Sequence, residues 1–215
     1  MKVLVVTSCT ASKANKSCKA RDMYLGLGHL KCVEGINLLQ KNNVDVDLYI
    51  LSFGKGLVNE NTVIDTYNVD HSHMTKSRVS EMSDNVNIYN DINNIIDKYD
   101  IAIFLLGKHH IEALKLPFKK TKPNEKIIFF TPSNNNIPKD YTIISAGNAE
   151  TKLFSYGSIS LKGYMFNLLC REIIASDKKL LTDIYNNPYA INSALEKYKK
   201  PSILTNKQKG FIMIE

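Results

Sequence analysis

Two apolar runs near the N-terminus each end in small, polar and reactive side chains. Residues 2–7 open into Ser8-Cys9-Thr10-Ala11-Ser12-Lys13, and residues 46–52 end at Ser52 and open into Phe53-Gly54-Lys55-Gly56. Cys9 is the candidate nucleophile, because cationic neighbours such as Lys13, Lys16 and Arg21 lower a thiol pKa and raise its thiolate fraction. Lys13 offers a point charge for a phosphate or carboxylate, or an amine if desolvated. Asp65 is the candidate acid or base, since a carboxylate near Lys or Arg is tuned by charge and burial. Each has a plainer alternative: a small buried residue capping a strand, a solvated loop lysine, a loop carboxylate.

The candidate binding residues surround these. In the segment Ala20-Arg21-Asp22-Met23-Tyr24, Arg21 can clamp an anion bidentately and Tyr24 can stack a base, with Asp22 completing a polar cluster; a structural ion pair at Arg21 is the alternative. Ser8, Ser52, Lys55 and Tyr67 would line the same pocket. Gly54 and Gly56 allow close backbone approach to a phosphate or else form a plain turn; their spacing to Lys is not that of a Walker loop. A third apolar run, residues 101–106, ends in Gly107-Lys108 just before a short helix beginning at His109 and His110, which predicts an anion site there, with the two histidines facing solvent.

Strands must carry these residues. Residues 2–7, 46–52, 101–106, 126–131 and 141–146 read as strands buried on both faces, as in a parallel sheet. Helical spacing is expected from about Gly28 to the Lys41-Asn42-Asn43 turn, over 79–99 with Ser80 or Ser83 as cap, over 163–175, and over 178–200 with a break at Asn187-Pro188. Residues 58–74, with Asp65, Tyr67, Asp70, His71 and His73, read as an extended functional loop. A terminal strand is expected at 210–214. The class is α/β: a single Rossmann-like domain with a mostly parallel five- to six-stranded sheet flanked by helices. Residues 1–175 form the nucleotide- or nucleobase-binding core, and 176–215 a helical appendage. In such sheets ligands bind beyond the carboxyl ends of the strands, which places the pocket beside strands one and two.

The 215 residues, 44% hydrophobic and 23% charged, suit one globular domain with a sizeable core. No run approaches a membrane span and no signal-peptide pattern opens the chain, so a cytoplasmic protein is expected. Cys9, Cys18, Cys32 and Cys170 have neither disulfide-scaffold density nor a C-x-x-C knuckle, which fits a reducing compartment and three buried thiols beside one special one. No metal and no cofactor is assigned. The formal charge of +7 suits a phosphate-bearing partner, and scattered lysine pairs on a solvated face account for it equally.

The order and spacing of Ser8-Cys9-Thr10-Ala11-Ser12-Lys13, Ala20-Arg21-Asp22-Met23-Tyr24, Ile50-Leu51-Ser52-Phe53-Gly54-Lys55-Gly56-Leu57 and Thr62-Val63-Ile64-Asp65-Thr66-Tyr67 resemble the YaaA-like group, with a weaker echo at Leu105-Leu106-Gly107-Lys108 and over 157–169. That group includes a peroxide stress protein and small phage, plasmid and archaeal relatives. The first loop is also similar to the catalytic segment of archaeosine synthase, a transfer-RNA base-modifying enzyme, with Cys9, Lys13 and Ser17 as nearest matches and Ser8 in place of a Pro. The resemblance implies a site that handles a nucleobase, free or within a nucleic acid. The expected function is a nucleobase- or nucleotide-binding enzyme in base modification or glycosidic-bond chemistry, its partners a nucleobase, nucleoside or nucleotide, and DNA or RNA as a further partner. The alternative is a non-catalytic DNA-binding stress or defence protein.

Overall fold

The computed structural model describes residues 1–69, 74–119, 126–132 and 136–200. Strand β1 (Lys2–Ser8) lies at the centre of the sheet because nearly every residue in it is branched and apolar and finds a buried place on one face or the other. It pairs in parallel with β3 (Asp45–Ser52), Val5 opposite Leu48, and with β6 (Ile101–Leu105), Val5 opposite Ile103. Beyond β6 lie β7 (Ile127–Thr131) and β8 (Thr142–Ser145), both parallel. On the far edge β4 (Gly56–Asn59) folds back antiparallel on β3, giving the order β4-β3-β1-β6-β7-β8. The sheet is thus α/β, six-stranded and mostly parallel.

Alternate residues of the strands feed two cores. On one face Val3, Val5, Ile101, Ile103, Ile128 and Phe130 meet α2 (Leu27–Lys41) and α7 (Leu161–Ala175). The helices α8 (Lys179–Asn186) and α9 (Ala190–Glu196) add Leu181, Ile184, Ile191 and Leu195 to this same core. On the other face Leu4, Val6, Phe104 and Phe129 meet α3 (Lys76–Asn85), α4 (Ile88–Ile96) and α5 (Lys108–Ala113). Phe104 and Phe129 stack there at 4.7 Å, and each such buried ring contributes roughly 1.5–3 kcal/mol. No helix among the described residues is long and apolar enough to cross a membrane.

Several local expectations are corrected. Residues 58–74 are not one loop: β4 pairs with β3, and β5 (Val63–Ile64) pairs with β2 (Cys18–Lys19) in a small second sheet. The sixth strand of the main sheet is β4, whereas residues 210–214 lie outside the described residues, as do Asp70, His71 and His73. The helix expected over 79–99 is two, broken where Asn87 takes a left-handed φ of 55°. The cap of α3 is Thr75, whose hydroxyl accepts from the Arg78 N–H; Ser83 instead donates 2.7 Å to the Ala113 carbonyl inside the core. Residues 20–23 form a short helix, α1 (Ala20–Met23), and α6 (Asn148–Phe154) was not legible.

One close approach fixes the relation between the two long helices. At Gly163, near the start of α7, an added Cβ would lie 1.8 Å from the carbonyl oxygen of Gly28 in the first turn of α2. The crossing also packs Gly35 against Phe166, Asn167 and Cys170. Backbone occupies the space a side chain would need, so Gly163→Ala must force the helices apart. We expect Gly163→Ala to cost at least about 2 kcal/mol, read as a fall in Tm of roughly 4–8 °C. The control, Gly107→Ala, places a Cβ in open space and should leave Tm unchanged.

Candidate active site

The chain runs from β1 to β3 on one side of the sheet and later returns to β6 on the other side of β1. The topological switch therefore falls between β1 and β6, and the loops leaving these strands diverge around a crevice. A cleft of about 620 Å³ opens there. Its floor is Thr7, Ser8, Cys9 and Thr10 at the carboxyl end of β1, with Leu105 and Gly107 at that of β6. Its walls are the first turn of α2, through Gly26, Leu27, Gly28 and His29, and the start of α7, through Ile159, Ser160, Lys162 and Gly163. The Gly28–Gly163 contact is what brings these two walls to one place. Neither helix has a side-chain cap or an acidic residue in its first turn, and the first N–H groups of a helix have no intrahelical acceptor.

Cys9 is 8% exposed, and its N–H donates 2.9 Å to the Leu51 carbonyl, extending the β1–β3 pairing by one residue. Its Sγ lies 3.6 Å from His110 Nε2. The His110 ring is held at 4.7 Å from the Phe53 ring, so the imidazole has a fixed place beside the thiol. Burial pushes the Cys9 thiol up; Lys13 and hydrogen bonds from the Phe53 backbone, Ser52 and Tyr67 only partly oppose it. This corrects the expectation that nearby cations make Cys9 a ready thiolate. The group rests as a thiol with an imidazole in reach to take its proton, the arrangement of a base-activated nucleophile.

Beside Cys9 the structure gathers several expected residues. The Tyr24 and Tyr67 hydroxyls are 2.8 Å apart, and Tyr67 also bonds the Ser52 hydroxyl, which accepts from the Gly54 N–H at 3.1 Å. Burial raises both tyrosines, which stay neutral. Lys13 and Lys55 sit over the Tyr67 ring at 4.8 and 5.5 Å. A Cβ on Gly54 would meet the Tyr67 ring at 2.5 Å, so that glycine is required by packing. Ser8 and Gly107 reach the cleft itself.

Other expected residues stand apart. Arg21 is no anion clamp: it pairs at 2.9 Å with Glu60, whose side chain is 3% exposed, and it bonds Asn37 of α2. Glu60 also accepts from Gln40 at 2.8 Å, so the trio ties α1 and α2 to the end of β4. Asp65 is exposed and accepts from Ser17, away from the cleft, and Asp22 is exposed on α1. Gly56 takes a φ of +74° in the β3–β4 turn under the Val86 carbonyl, where it cradles nothing. Lys108 is exposed and faces a second groove, and α5, only six residues long, makes a poor anion site. Among the described residues no group of three or more His, Cys, Asp or Glu is placed to hold a metal ion.

Three site residues were not foreseen. His110 was expected to face solvent, and only its register on α5 turns it to Cys9 while His109 pairs with Glu112 at 3.2 Å. His29, 2% exposed, donates from Nε2 to the Arg21 carbonyl at 2.8 Å, a bond that fixes its tautomer and leaves Nδ1 an acceptor with no partner among the described residues. Burial lowers its pKa and keeps the ring neutral. Lys162 enters from the far half of the chain; the glycine-rich start of α7 was the available signal.

Two measurements test this arrangement. Iodoacetamide alkylation of Cys9, followed by mass spectrometry, should keep accelerating above about pH 8.5, where an ordinary thiol levels off. Arg21→Ala strands the Glu60 carboxylate in the interior and should cost about 3 kcal/mol in urea unfolding, a loss that an exposed ligand clamp would not cause.

No curated protein matches the chain. A model described as a family of unknown function (DUF6884) matches residues 3–129. The match runs from β1 into β7, so it contains Cys9, Ser52, Tyr67 and His110, and it stops short of Lys162 and Gly163. It spans more than half of the 215 residues, and the chain belongs to this DUF6884 family.

Proposed function

We propose that the chain is a nucleobase- or nucleotide-binding enzyme that modifies a base through a thiol nucleophile. The observation that carries this reading is the Cys9–His110 pair, 3.6 Å apart, whose cysteine lies on the floor of a cleft at the topological switch point. In the proposed step His110 takes the thiol proton as Cys9 Sγ adds to the electrophilic carbon of a ring double bond of the base; the π pair moves to the neighbouring ring atom, which takes the proton back from the imidazolium. The Tyr24–Tyr67–Ser52 hydroxyls beside the sulfur hold its position, and exposed Leu27 and Ile159 at the cleft mouth offer apolar surface to a planar ring. Glycosidic-bond chemistry is the less supported branch: no described lining residue is Asp or Glu, and Asp65 lies elsewhere. The likeness of the first loop to the YaaA-like group and to archaeosine synthase supports a base as the ligand.

A second reading, a nucleic-acid-binding stress or defence protein without turnover, draws on the +7 charge and on a groove of about 570 Å³ that Lys76, Lys108 and Lys115 line. Lys115 is already paired with Asp84, which lowers the groove's free charge.

A thermal-shift screen of nucleobases, nucleosides and nucleotides tests both. A ligand at a hundred times its Kd stabilises by about 2.7 kcal/mol. We expect one base class to shift the wild type, Cys9→Ser and His110→Ala alike, with a covalent adduct detectable by mass only in the wild type. Absence of any shift, with DNA or RNA bound and released steeply as salt rises, overturns the enzyme in favour of the binder.

A further inference from the structure

Lys162 is the only cationic side chain on the described lining of the switch-point cleft, and no acidic side chain accompanies it there. It is largely withdrawn from solvent, and among the described residues its ammonium has neither an ion pair nor a hydrogen-bond acceptor. Arg21, a second cation drawn partly out of solvent, shows what this chain does when a charge is needed only for structure: it is given Glu60 and Asn37. A desolvated ammonium without a counter-charge is costly unless a ligand supplies one. Burial accordingly lowers the Lys162 pKa, with no acidic neighbour to restore it.

From this we infer that Lys162 holds the anionic group of the ligand, and that the ligand is phosphorylated, a nucleotide rather than a free base or nucleoside. The inference rests on the reading of the cleft as a nucleobase site and moves its anion holder from Lys13, Arg21 and Lys55 to the opposite wall. A phosphate fits better than a carboxylate. The Ser8 and Ser12 hydroxyls line the same cleft, and the uncapped first turns of α2 and α7 add N–H donors for the remaining oxygens.

The test compares the four ribonucleosides, their 5′-monophosphates and inorganic phosphate by calorimetry against wild type, Lys162→Met and Lys162→Arg. In the wild type one monophosphate should bind at least about tenfold tighter than its nucleoside, a charge-assisted gain that Lys162→Met abolishes and Lys162→Arg largely keeps. If nucleoside and nucleotide bind equally, or the gain survives in Lys162→Met, the phosphate inference is overturned and the nucleobase reading stands. If inorganic phosphate binds through Lys162 and no nucleoside or nucleotide does, the nucleobase reading falls and the anion site stands. If only a nucleoside binds, the phosphate inference falls and the nucleobase reading stands; if no probe binds, both fall. Acetic anhydride labelling of the wild type, mapped by mass spectrometry, avoids dependence on the variants. At neutral pH Lys162 should acylate ahead of surface lysines, and the monophosphate that binds should protect it; rapid labelling without protection overturns the inference.

Discussion

Backbone meeting backbone at Gly28 and Gly163 is the constraint from which the candidate site follows. Two 15-residue helices lie so close there that their first turns share one corner, above the point where the loops after β1 and β6 part. A parallel sheet with a change of strand direction supplies a crevice in any such fold. In this chain the crevice becomes a cleft with walls because α2 and α7 touch backbone to backbone at their first turns, through Gly28 and Gly163. The thiol and the ammonium come from opposite halves of the chain, and the crossing lets them line one volume.

The site is built from groups in opposite states of satisfaction. Around Cys9 the polar atoms are closely partnered, Tyr24 with Tyr67, Tyr67 with Ser52, Ser52 with Gly54. Such a network holds its members in place, while burial keeps the thiol protonated. On the opposite wall Lys162 and His29 Nδ1 lack partners among the described residues. One side is closely partnered and the other carries polar groups without partners among the described residues.

Much of this was legible because it depends on strong, local signals. The strands at β1, β3, β6, β7 and β8 are apolar runs that could be little else, and Cys9, Ser52 and Gly107 were placed by being at their ends. The signals that failed were weak or non-local. Gly54-Lys55-Gly56 looks alike as a phosphate loop and as a hairpin turn, and only Tyr67 and Val86 packing against the glycines decides for the turn. The break between α3 and α4 hangs on one left-handed asparagine. Arg21 beside Lys13 in sequence suggested a cationic cluster, yet Glu60 lay hidden on a strand end that could not be read. His109 and His110 are equal as letters; a helical rotation of one residue separates a contact with Glu112 from a place beside the thiol.

The two walls of the cleft are made at very different times in the life of the chain. When α2, β3 and β6 have left the ribosome, the thiol and imidazole exist, but Cys32, Ile36 and Leu39 on α2 still wait for Phe166, Leu169 and Cys170 to cover them. Contacts so distant along the chain lose their loop-closure entropy late and slow the final steps of folding. A product ending before residue 161 therefore presents an apolar helix face to its neighbours, the kind of surface that aggregates. Completion of α7 both covers that face and closes the cleft that Cys9 lines.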